Sequence, residues 1–181
     1  MDEVGAIKGF LRDHTANSIT FYSEEPSSTL SREHIEVLKT LACNADGVAR
    51  LCLHSSPEAA LHIMAIAQTA EMYWRPKKHL TKIKSFTMIE GRMAVAVFRD
   101  SGALEGVSIL DPEFQPLMVV EQAIFHTNVA ITPVCVHVET IQGPYVLGEE
   151  DRVVAPFAPD EGDTEAGRAF ISDFIDGFLS L

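Results

Sequence analysis

The 181-residue sequence is poor in cysteine, and Cys43, Cys52 and Cys135 lie far apart without a CxxC pair. This small set is ordinary for a reducing cytoplasm, so we expect free thiols. No long apolar run of the length that spans a bilayer is present, so no membrane helix is expected. The N-terminus lacks the basic and apolar regions of a secretory signal. We therefore expect a cytoplasmic protein that makes no membrane contact.

Basic residues are also scarce, because 14 lysines and arginines face 26 acidic residues and give a net charge of −12. Such a chain repels phosphate backbones, which argues against nucleic acid as a partner. The charge is unevenly distributed: Arg75 to Lys84 holds five bases and no acid, whereas Glu149 to Glu165 holds seven acids and one arginine. The basic stretch is either a local positive patch or an ordinary solvated loop.

Two helices and a first strand are predicted from spacing and end signals. Ser31 is a plausible N-cap, and apolar residues follow it at helical spacing, which predicts a helix over 32–45. Residues 18–22 (SITFY) have the pattern of a short strand. Ser56 and Pro57 predict a single helical turn in SSPEAA. Near the C-terminus a helical stripe packs on the barrel or on a partner, and it comprises Phe170, Ile171, Phe174, Ile175 and Phe178.

Between Arg50 and Tyr145 the sequence is a series of short strand-like runs, such as SFTMIEG, RMAVAVFRD and VCVHVET. Glu-Gly, Asp-Ser-Gly, Asp-Pro and Thr-Pro pairs separate these runs and are typical of turns. Many short strands at close spacing predict an all-β sandwich or barrel.

Several of these segments resemble the WbuC family of small cupins. They lie between Ile19 and Tyr145, and they read ARLCLHSSPEAALHIM, RPKKHLTKIKSFTMIEG, AVFRDSGALEGVSIL, FHTNV and ETIQGPY. The resemblance implies an all-β cupin jelly-roll β-barrel that forms a homodimer, in a family often found beside surface-polysaccharide genes.

On this basis the chain divides into three parts. Residues 1–48 are expected to form a strand and helix packed on the barrel, and residues 49–147 the jelly roll. Residues 148–181 are expected to form an acidic connector and a C-terminal helical extension.

Cupins generally hold a metal ion with an H-x-H pair, a glutamate a few residues later and a histidine from a late strand. Residues i and i+2 of a strand point the same way, so such a pair places two imidazoles inside the barrel. Here His79 and His126 match two of these positions, whereas Lys77 and Lys84 replace the first histidine and the glutamate. Gly91 lies at the expected distance after Lys84, which supports the register.

The first hypothesis is therefore a degraded metal site, without a cofactor, that binds a small anionic or sugar-like ligand. Two ammonium groups would occupy the place and field of the lost cation, and the histidines could donate hydrogen bonds or transfer protons. The expected lining residues are Lys77, His79, Lys84, His126 and Trp74. Alternatively, the lysines extend to the rim and pair with Glu71, Glu90 or the acidic connector.

A second hypothesis is a metal-dependent isomerase or dioxygenase that holds Fe, Mn, Ni or Zn with His79 and His126. The candidates for a third ligand are Glu71, Glu121, His137 and Glu139. At about 4 Å each lysine would repel the cation by roughly 4 kcal/mol. A third hypothesis is a structural or regulatory dimer without ligand chemistry.

The remaining candidates have structural interpretations. His62 alternates with apolar residues and is expected to be a hydrogen-bonded structural histidine, while His137 could face outward. Arg50 and Glu139 favour a buried structural ion pair or an interface contact. Trp74 either packs at the barrel mouth or forms a stacking floor for a sugar.

Overall fold

The protein is described by a computed structural model that covers residues 7–45, 47–145 and 151–179. Residues 148–150 of the expected connector and the side chain of Phe178 lie outside the described part. The elements within it are β1 (Phe10–Asp13), β2 (Ile19–Ser23), α1 (Arg32–Asn44), β3 (Val48–Cys52), β4 (Leu61–Thr69), β5 (Lys77–His79), β6 (Lys84–Glu90), β7 (Met93–Phe98), β8 (Leu104–Leu110), β9 (Leu117–Val120), β10 (Phe125–Ala130), β11 (Val134–Gln142), β12 (Arg152–Val154) and α2 (Thr164–Leu179).

Two sheets form the barrel. The larger has the strand order β1-β2-β3-β4-β11-β6-β9, and the smaller has the order β12-β5-β10-β7-β8. Strands β2 and β3 pair in parallel, whereas the other described pairs are antiparallel. Neighbours in each sheet are often far apart in sequence, as a jelly roll requires, so the prediction of an all-β barrel is confirmed.

Helix α1 confirms the predicted helix and covers the outer face of the larger sheet. The Ser31 hydroxyl accepts a hydrogen bond from the His34 amide, and His34 Nδ1 accepts one from the Ser31 amide, both at 3.2 Å. This reciprocal cap satisfies two donors at the start of the helix. The apolar stripe of the helix is buried, and its residues are Ile35, Leu38, Leu41 and Ala42.

The predicted turn in SSPEAA is present as a single hydrogen-bonded turn that does not extend into a helix, with the Ala59 amide donating to the Ser56 carbonyl at 3.2 Å. Residues 55–60 form bends and turns, and the Ser56 hydroxyl accepts a hydrogen bond from the Glu58 amide at 3.3 Å. The Pro57 carbonyl accepts hydrogen bonds from the Tyr145 amide at 2.8 Å and from His62 Nε2 at 3.0 Å. In a helix the Pro57 carbonyl would accept a hydrogen bond from the Leu61 amide. Leu61 already begins β4, so the carbonyl binds these distant donors instead.

Helix α2 packs on the outer face of the smaller sheet. Its buried Ile171 and Phe174 join Tyr73, Phe98 and Phe125 in one apolar cluster, as the helical stripe predicted. A side chain at Gly167 would come within 2.3 Å of the Tyr73 ring, so glycine permits this close approach. The first turn is capped by Asp163, whose carboxylate accepts a hydrogen bond from the Ala166 amide at 3.1 Å.

Strand alternation divides inward from outward side chains. On β11, Val136 and Val138 face the α1 cluster, so Cys135, His137 and Glu139 face the interior. One part of the interior is an apolar layer, which consists of Phe86, Met88, Met93, Val95, Leu110, Val120, Ala130 and Cys135. The other part is a polar layer, which consists of Arg50, Gln68, Lys77, His79, Lys84, His126, Asn128, His137 and Glu139.

The three cysteines are free thiols, as expected, with Cys43 exposed and Cys52 and Cys135 buried. In the described ranges, neither helix is long and apolar enough to cross a membrane.

Candidate functional site in the polar layer

Three of the predicted site residues come from two paired strands of the smaller sheet. Lys77 lies directly opposite His126 in the pairing of β5 with β10, so the two side chains share the inward face. His79 follows Lys77 by two residues and therefore points the same way. Lys78, between them, points outward, where its ammonium lies 4.4 Å from the centre of the Phe125 ring. The structure thus brings Lys77, His79 and His126 to one wall of the barrel.

Lys84 enters the same layer from β6 and meets a carboxylate there. Its Nζ lies 3.2 Å from Glu139 Oε2, and the side chain is only 4% exposed. Burial alone would raise the pKa of Glu139, but the charges of Lys84 and Lys77 lower it to about 2. The glutamate therefore stays ionised, and it compensates the charge of Lys84 inside the barrel.

Lys77 has no carboxylate within ion-pair distance among the described residues. Burial, followed by the charge of Lys84, lowers its pKa from 10.5 to about 7. Its ammonium lies 5.7 Å from the centre of the Trp74 ring, and the Arg50 guanidinium lies 5.4 Å from the same centre. These contacts are in the range of cation–π interactions, so Trp74 partly stabilises a concentration of positive charge.

His79 is held by a buried carboxylate from the C-terminal part of the chain. Its Nδ1 lies 2.9 Å from Asp151 Oδ2. The other oxygen of Asp151 accepts hydrogen bonds from the Thr81 amide at 2.7 Å and the Thr81 hydroxyl at 2.6 Å. Burial and the charge of Lys84 nevertheless lower the pKa of His79. The imidazole is thus neutral near pH 7, and Asp151 fixes its orientation.

His126 has a similar arrangement with a different partner. Its Nδ1 lies 2.9 Å from the Ile124 carbonyl, which can only accept, so Nδ1 carries the proton. Burial and the charge of Lys84 lower the pKa of His126 to about 3, which leaves Nε2 with a lone pair. This Nε2 is buried and has no hydrogen-bond partner in the described part of the chain.

Two further interior side chains also carry an unpaired polar atom. Gln68 Oε1 accepts hydrogen bonds from Asn128 Nδ2 at 2.9 Å and Trp74 Nε1 at 3.3 Å, but Gln68 Nε2 has no partner within the described ranges. His137 Nδ1 is likewise unpaired there, and the side chain is 1% exposed. His137 therefore does not face outward as considered, because it shares the inward face of β11 with Glu139.

The structure also corrects the idea that the lysines extend to the rim. Glu71, offered as a rim partner and as a metal ligand, is exposed and paired with Arg168. Glu90 pairs with Lys39 instead, with Nζ and Oε1 at 2.5 Å. Glu121 is exposed. Lys84 is the partner of Glu139, so the lysines occupy the interior rather than the rim.

Arg50 and Trp74 contact each other in the interior wall. The ion pair considered for Arg50 and Glu139 is not formed between them, because Glu139 pairs with Lys84. Arg50 donates a hydrogen bond to the Ser18 hydroxyl, and its guanidinium lies over the half-buried Trp74 ring. The ring thus has cationic neighbours. The prediction that Trp74 contacts a ligand stays a prediction.

His62 has the structural role that was predicted for it. It is buried, its Nε2 lies 3.0 Å from the Pro57 carbonyl, and its ring stacks on His54 with centroids 4.3 Å apart.

Sequence reasoning missed Asp151 and Gln68, and it gave Glu139 no role beyond a structural contact or a spare ligand. The alternation of Cys135, His137 and Glu139 could have placed Glu139 inside, because β11 has a clear period of two. Asp151 had no such signal, since it lies in an acidic stretch and reaches His79 only through the pairing of β12 with β5.

The donor set does not fit a divalent metal ion. His126 Nε2 has the free lone pair that a ligand needs, yet Lys77 lies directly opposite His126 and the charge of Lys84 also acts on it. The inward carboxylate of β11, Glu139, is paired with Lys84. Within the described residues, no three His, Cys, Asp or Glu side chains come together to hold a metal. A divalent cation would meet like charge without enough negative ligands.

Comparisons with known proteins agree on the fold. The model of a domain of unknown function, DUF6016, matches residues 35–110. No curated protein matches the chain. Among solved structures, CapF with the inhibitor 3-isopropenyl-tropolone is 11% identical with a TM-score of 0.52 over 61% of this chain and 32% of CapF.

The capsular polysaccharide assembling protein CapF from Staphylococcus aureus is 9% identical with a TM-score of 0.53, again over 61% of this chain and 32% of that chain. A cupin-2 domain from Rhodospirillum rubrum is 17% identical with a TM-score of 0.48, over 72% and 79% of the two chains. The chain thus spans about a third of the length of CapF. With the two-sheet topology, the molecule is an all-β jelly roll of the cupin type.

Proposed function

We propose that the polar layer binds a small anionic or sugar-like ligand, with Lys77, His79, Lys84 and His126 as contacts and Trp74 beside them. The observation that carries this proposal is the inward direction of two lysines at positions where cupins generally hold a metal. Their ammonium groups supply the positive field there, and a ligand of opposite charge would complete it.

The balance of charge supports Lys77 as the main anion contact. Lys84 is compensated by Glu139 at 3.2 Å, whereas Lys77 has no carboxylate partner in the described part of the chain. Burial is the first cause that lowers the pKa of Lys77, and the charge of Lys84 is the second. The two ammonium groups therefore repel each other. A bound anion would relieve that repulsion and raise the pKa of Lys77 again.

Two finer points belong to the same proposal. The resemblance to WbuC-type cupins suggests a homodimer and a ligand from surface-polysaccharide metabolism. CapF is described as a capsular polysaccharide assembling protein, and the likeness at 9% identity bears on the fold. The residues of the polar layer carry the functional proposal.

The test is calorimetric titration of the untagged protein, purified without chelator, with galacturonate, citrate and inorganic phosphate. Lys77→Met should weaken binding of the preferred anion at least about tenfold, as expected for loss of a charged contact. Lys78→Met is the matched control, because it removes the same charge from the adjacent residue, which points outward and pairs with Asp100. Equal affinities for both variants and the natural protein would contradict the proposal.

Elemental analysis of the same preparation tests the metal-dependent alternative. About one transition metal ion per chain, lost in His79→Ala and His126→Ala, would replace the anion site with a metal centre. If Lys77→Ala and His126→Ala leave the affinity for every probe unchanged, the structural or regulatory dimer is favoured instead.

A further inference from the structure

We infer that the ligand is a polyhydroxylated carboxylate, such as a sugar acid, rather than a simple anion. This inference rests on the proposed function and narrows it to one class of substrate. Its basis is that the polar layer presents hydrogen-bond acceptors of its own beside the lysines. A fitting ligand must therefore offer donors as well as negative charge.

The first acceptor is Nε2 of His126. The Ile124 carbonyl, 2.9 Å from Nδ1, fixes the proton on that nitrogen, so Nε2 holds a lone pair. The side chain is 3% exposed, and Nε2 has no donor within the described residues. An unpaired buried acceptor is costly and rare in native proteins, so a donor from a ligand would stabilise it.

The second acceptor is Nε2 of His79. Asp151 accepts from Nδ1 of this ring at 2.9 Å, and Asp151 is itself fixed by two hydrogen bonds from Thr81. The ring proton is thus on Nδ1, and Nε2 is the free acceptor. Since β5 places His79 two residues after Lys77, this acceptor and the ammonium of Lys77 lie on the same inward face.

The polar layer also presents two hydrogen-bond donors that lack a partner. Lys77 supplies an ammonium without a carboxylate partner in the described ranges, and Gln68 Nε2 is a buried amide donor that is also unpaired there. The orientation of the Gln68 amide is fixed, because its oxygen accepts hydrogen bonds from both Trp74 and Asn128. A carboxylate suits these donors, and hydroxyl groups suit the two imidazole acceptors.

Other small ligands match either the donors or the acceptors of the polar layer, but not both. A dicarboxylate without hydroxyl groups supplies acceptors alone. Inorganic phosphate near neutral pH carries one or two hydroxyls, but it is too small to reach both imidazoles, which come from different positions along the barrel wall. Either would leave an imidazole lone pair buried without a donor. A neutral sugar supplies hydroxyl groups but no negative charge for Lys77. A sugar acid combines both features.

The experiment compares four probes of known chemistry, namely galacturonate, galactose, adipate and inorganic phosphate, by calorimetric titration at pH 6. Galacturonate should bind at least about tenfold more tightly than each of the others, because it alone combines a carboxylate with several hydroxyl groups spread over a sugar ring. Adipate or phosphate binding as tightly as galacturonate would overturn the inference.

A second readout does not depend on any variant folding. Nitrogen-15 spectra of histidine-labelled natural protein report which ring nitrogen carries the proton. Both His79 and His126 should show a protonated Nδ1 and an unprotonated Nε2, and their Nε2 signals should move with galacturonate and not with adipate. A proton on Nε2 in either free ring would overturn the inference. His126→Phe should also reduce the preference for galacturonate over adipate to about a few-fold.

Different results would contradict the anion site and the sugar-acid inference. If adipate and galacturonate bind equally and both depend on Lys77, the anion site stands and the sugar-acid inference is wrong. If galactose binds as well as galacturonate and Lys77→Met has no effect, the anion site itself is wrong.

Discussion

The apolar and polar layers of the barrel interior share strands β6 and β11, yet they differ in whether their side chains find suitable partners. On β6 the inward series runs from Lys84 through Phe86 to Met88, and on β11 it runs from Glu139 through His137 to Cys135. Side chains of the apolar layer are buried at 4% exposure or less. The polar layer is only partly buried, since Lys77, His79 and Glu139 are half-buried, and it keeps three polar atoms without a partner among the described residues.

This difference shows where stability and binding reside. Burial of apolar side chains stabilises the fold, whereas burial of unpaired polar atoms and like charges costs free energy. The polar layer therefore destabilises the fold unless a ligand supplies the missing hydrogen-bond partners and opposite charge. A ligand that supplies the missing partners would recover that cost, and the following predictions test this division.

The largest effect is expected in the apolar layer. Leu110→Ala should lower the free energy of unfolding by about 3 kcal/mol, because Leu110 is fully buried and its loss leaves a cavity. Denaturant titration measures this loss. Leu104→Ala is the control on the same strand, since Leu104 is 42% exposed and should cost under about 1 kcal/mol. Anion affinity of the folded Leu110→Ala protein should stay unchanged. A large loss of affinity would mean that the two layers are not separate.

A slightly smaller effect is expected from breaking the ion pair of the polar layer. Lys84→Met should cost about 2–3 kcal/mol of unfolding free energy, because it leaves the carboxylate of Glu139 largely buried without its partner. The double variant Lys84→Met/Glu139→Gln should recover most of the loss, since no buried charge then remains unpaired. Equal stability of the single and double variants would show that the pair is not coupled.

The fold was largely predictable from the sequence because its signals are local. The cap at Ser31, the apolar stripe of α1 and the alternation of the strand runs each depend on residues a few positions apart. The turn at Ser56 and Pro57 shows the limit of such signals. The Pro57 carbonyl accepts a hydrogen bond from the distant Tyr145 amide, and no local pattern indicates this tertiary contact.

The candidate site was predictable only in part, for a related reason. Strand periodicity and the resemblance to small cupins singled out Lys77, His79, Lys84 and His126, but they left open which way the two lysines point. The partners of these side chains come from distant segments: Glu139 from β11, and Asp151 from the residue just before β12. Those pairings decide which charges are compensated and which ring nitrogens are free, so the sequence could not show whether the histidines donate or accept.

The dependence of stability on pH should report on Lys77, and its direction follows from the pKa shift. The pKa is about 7 in the folded protein and 10.5 when unperturbed, so between these values the unfolded chain binds more protons. Stability of the natural protein should therefore rise with pH across this window, while the full cost of the buried ammonium is present below pH 7. Lys77→Met should stabilise the protein most below pH 7, and the gain should shrink as pH rises.

Anion binding should have the opposite trend, because it needs the ammonium form of Lys77. Affinity should fall above about pH 7, by at most about tenfold per pH unit for a single proton. Calorimetry in buffers of different ionisation enthalpy would detect the accompanying proton uptake. A flat profile between pH 6 and pH 9, with Lys78→Met as reference, would exclude Lys77 as the titrating contact.

The smallest effect is expected at Asp151, which acts on His79 and not on the ligand. In Asp151→Asn the amide oxygen can still accept hydrogen bonds from Thr81, so the unfolding free energy should fall by only about 1 kcal/mol. The negative charge that holds the proton on His79 Nδ1 is lost, however, and the ring can adopt either tautomer. Galacturonate affinity should therefore fall about threefold, with the nitrogen-15 signals of His79 changing and those of His126 unchanged. If His79 keeps its tautomer in this variant, Asp151 serves only to anchor β12. It then has no part in setting which nitrogen of His79 is a free acceptor in the polar layer.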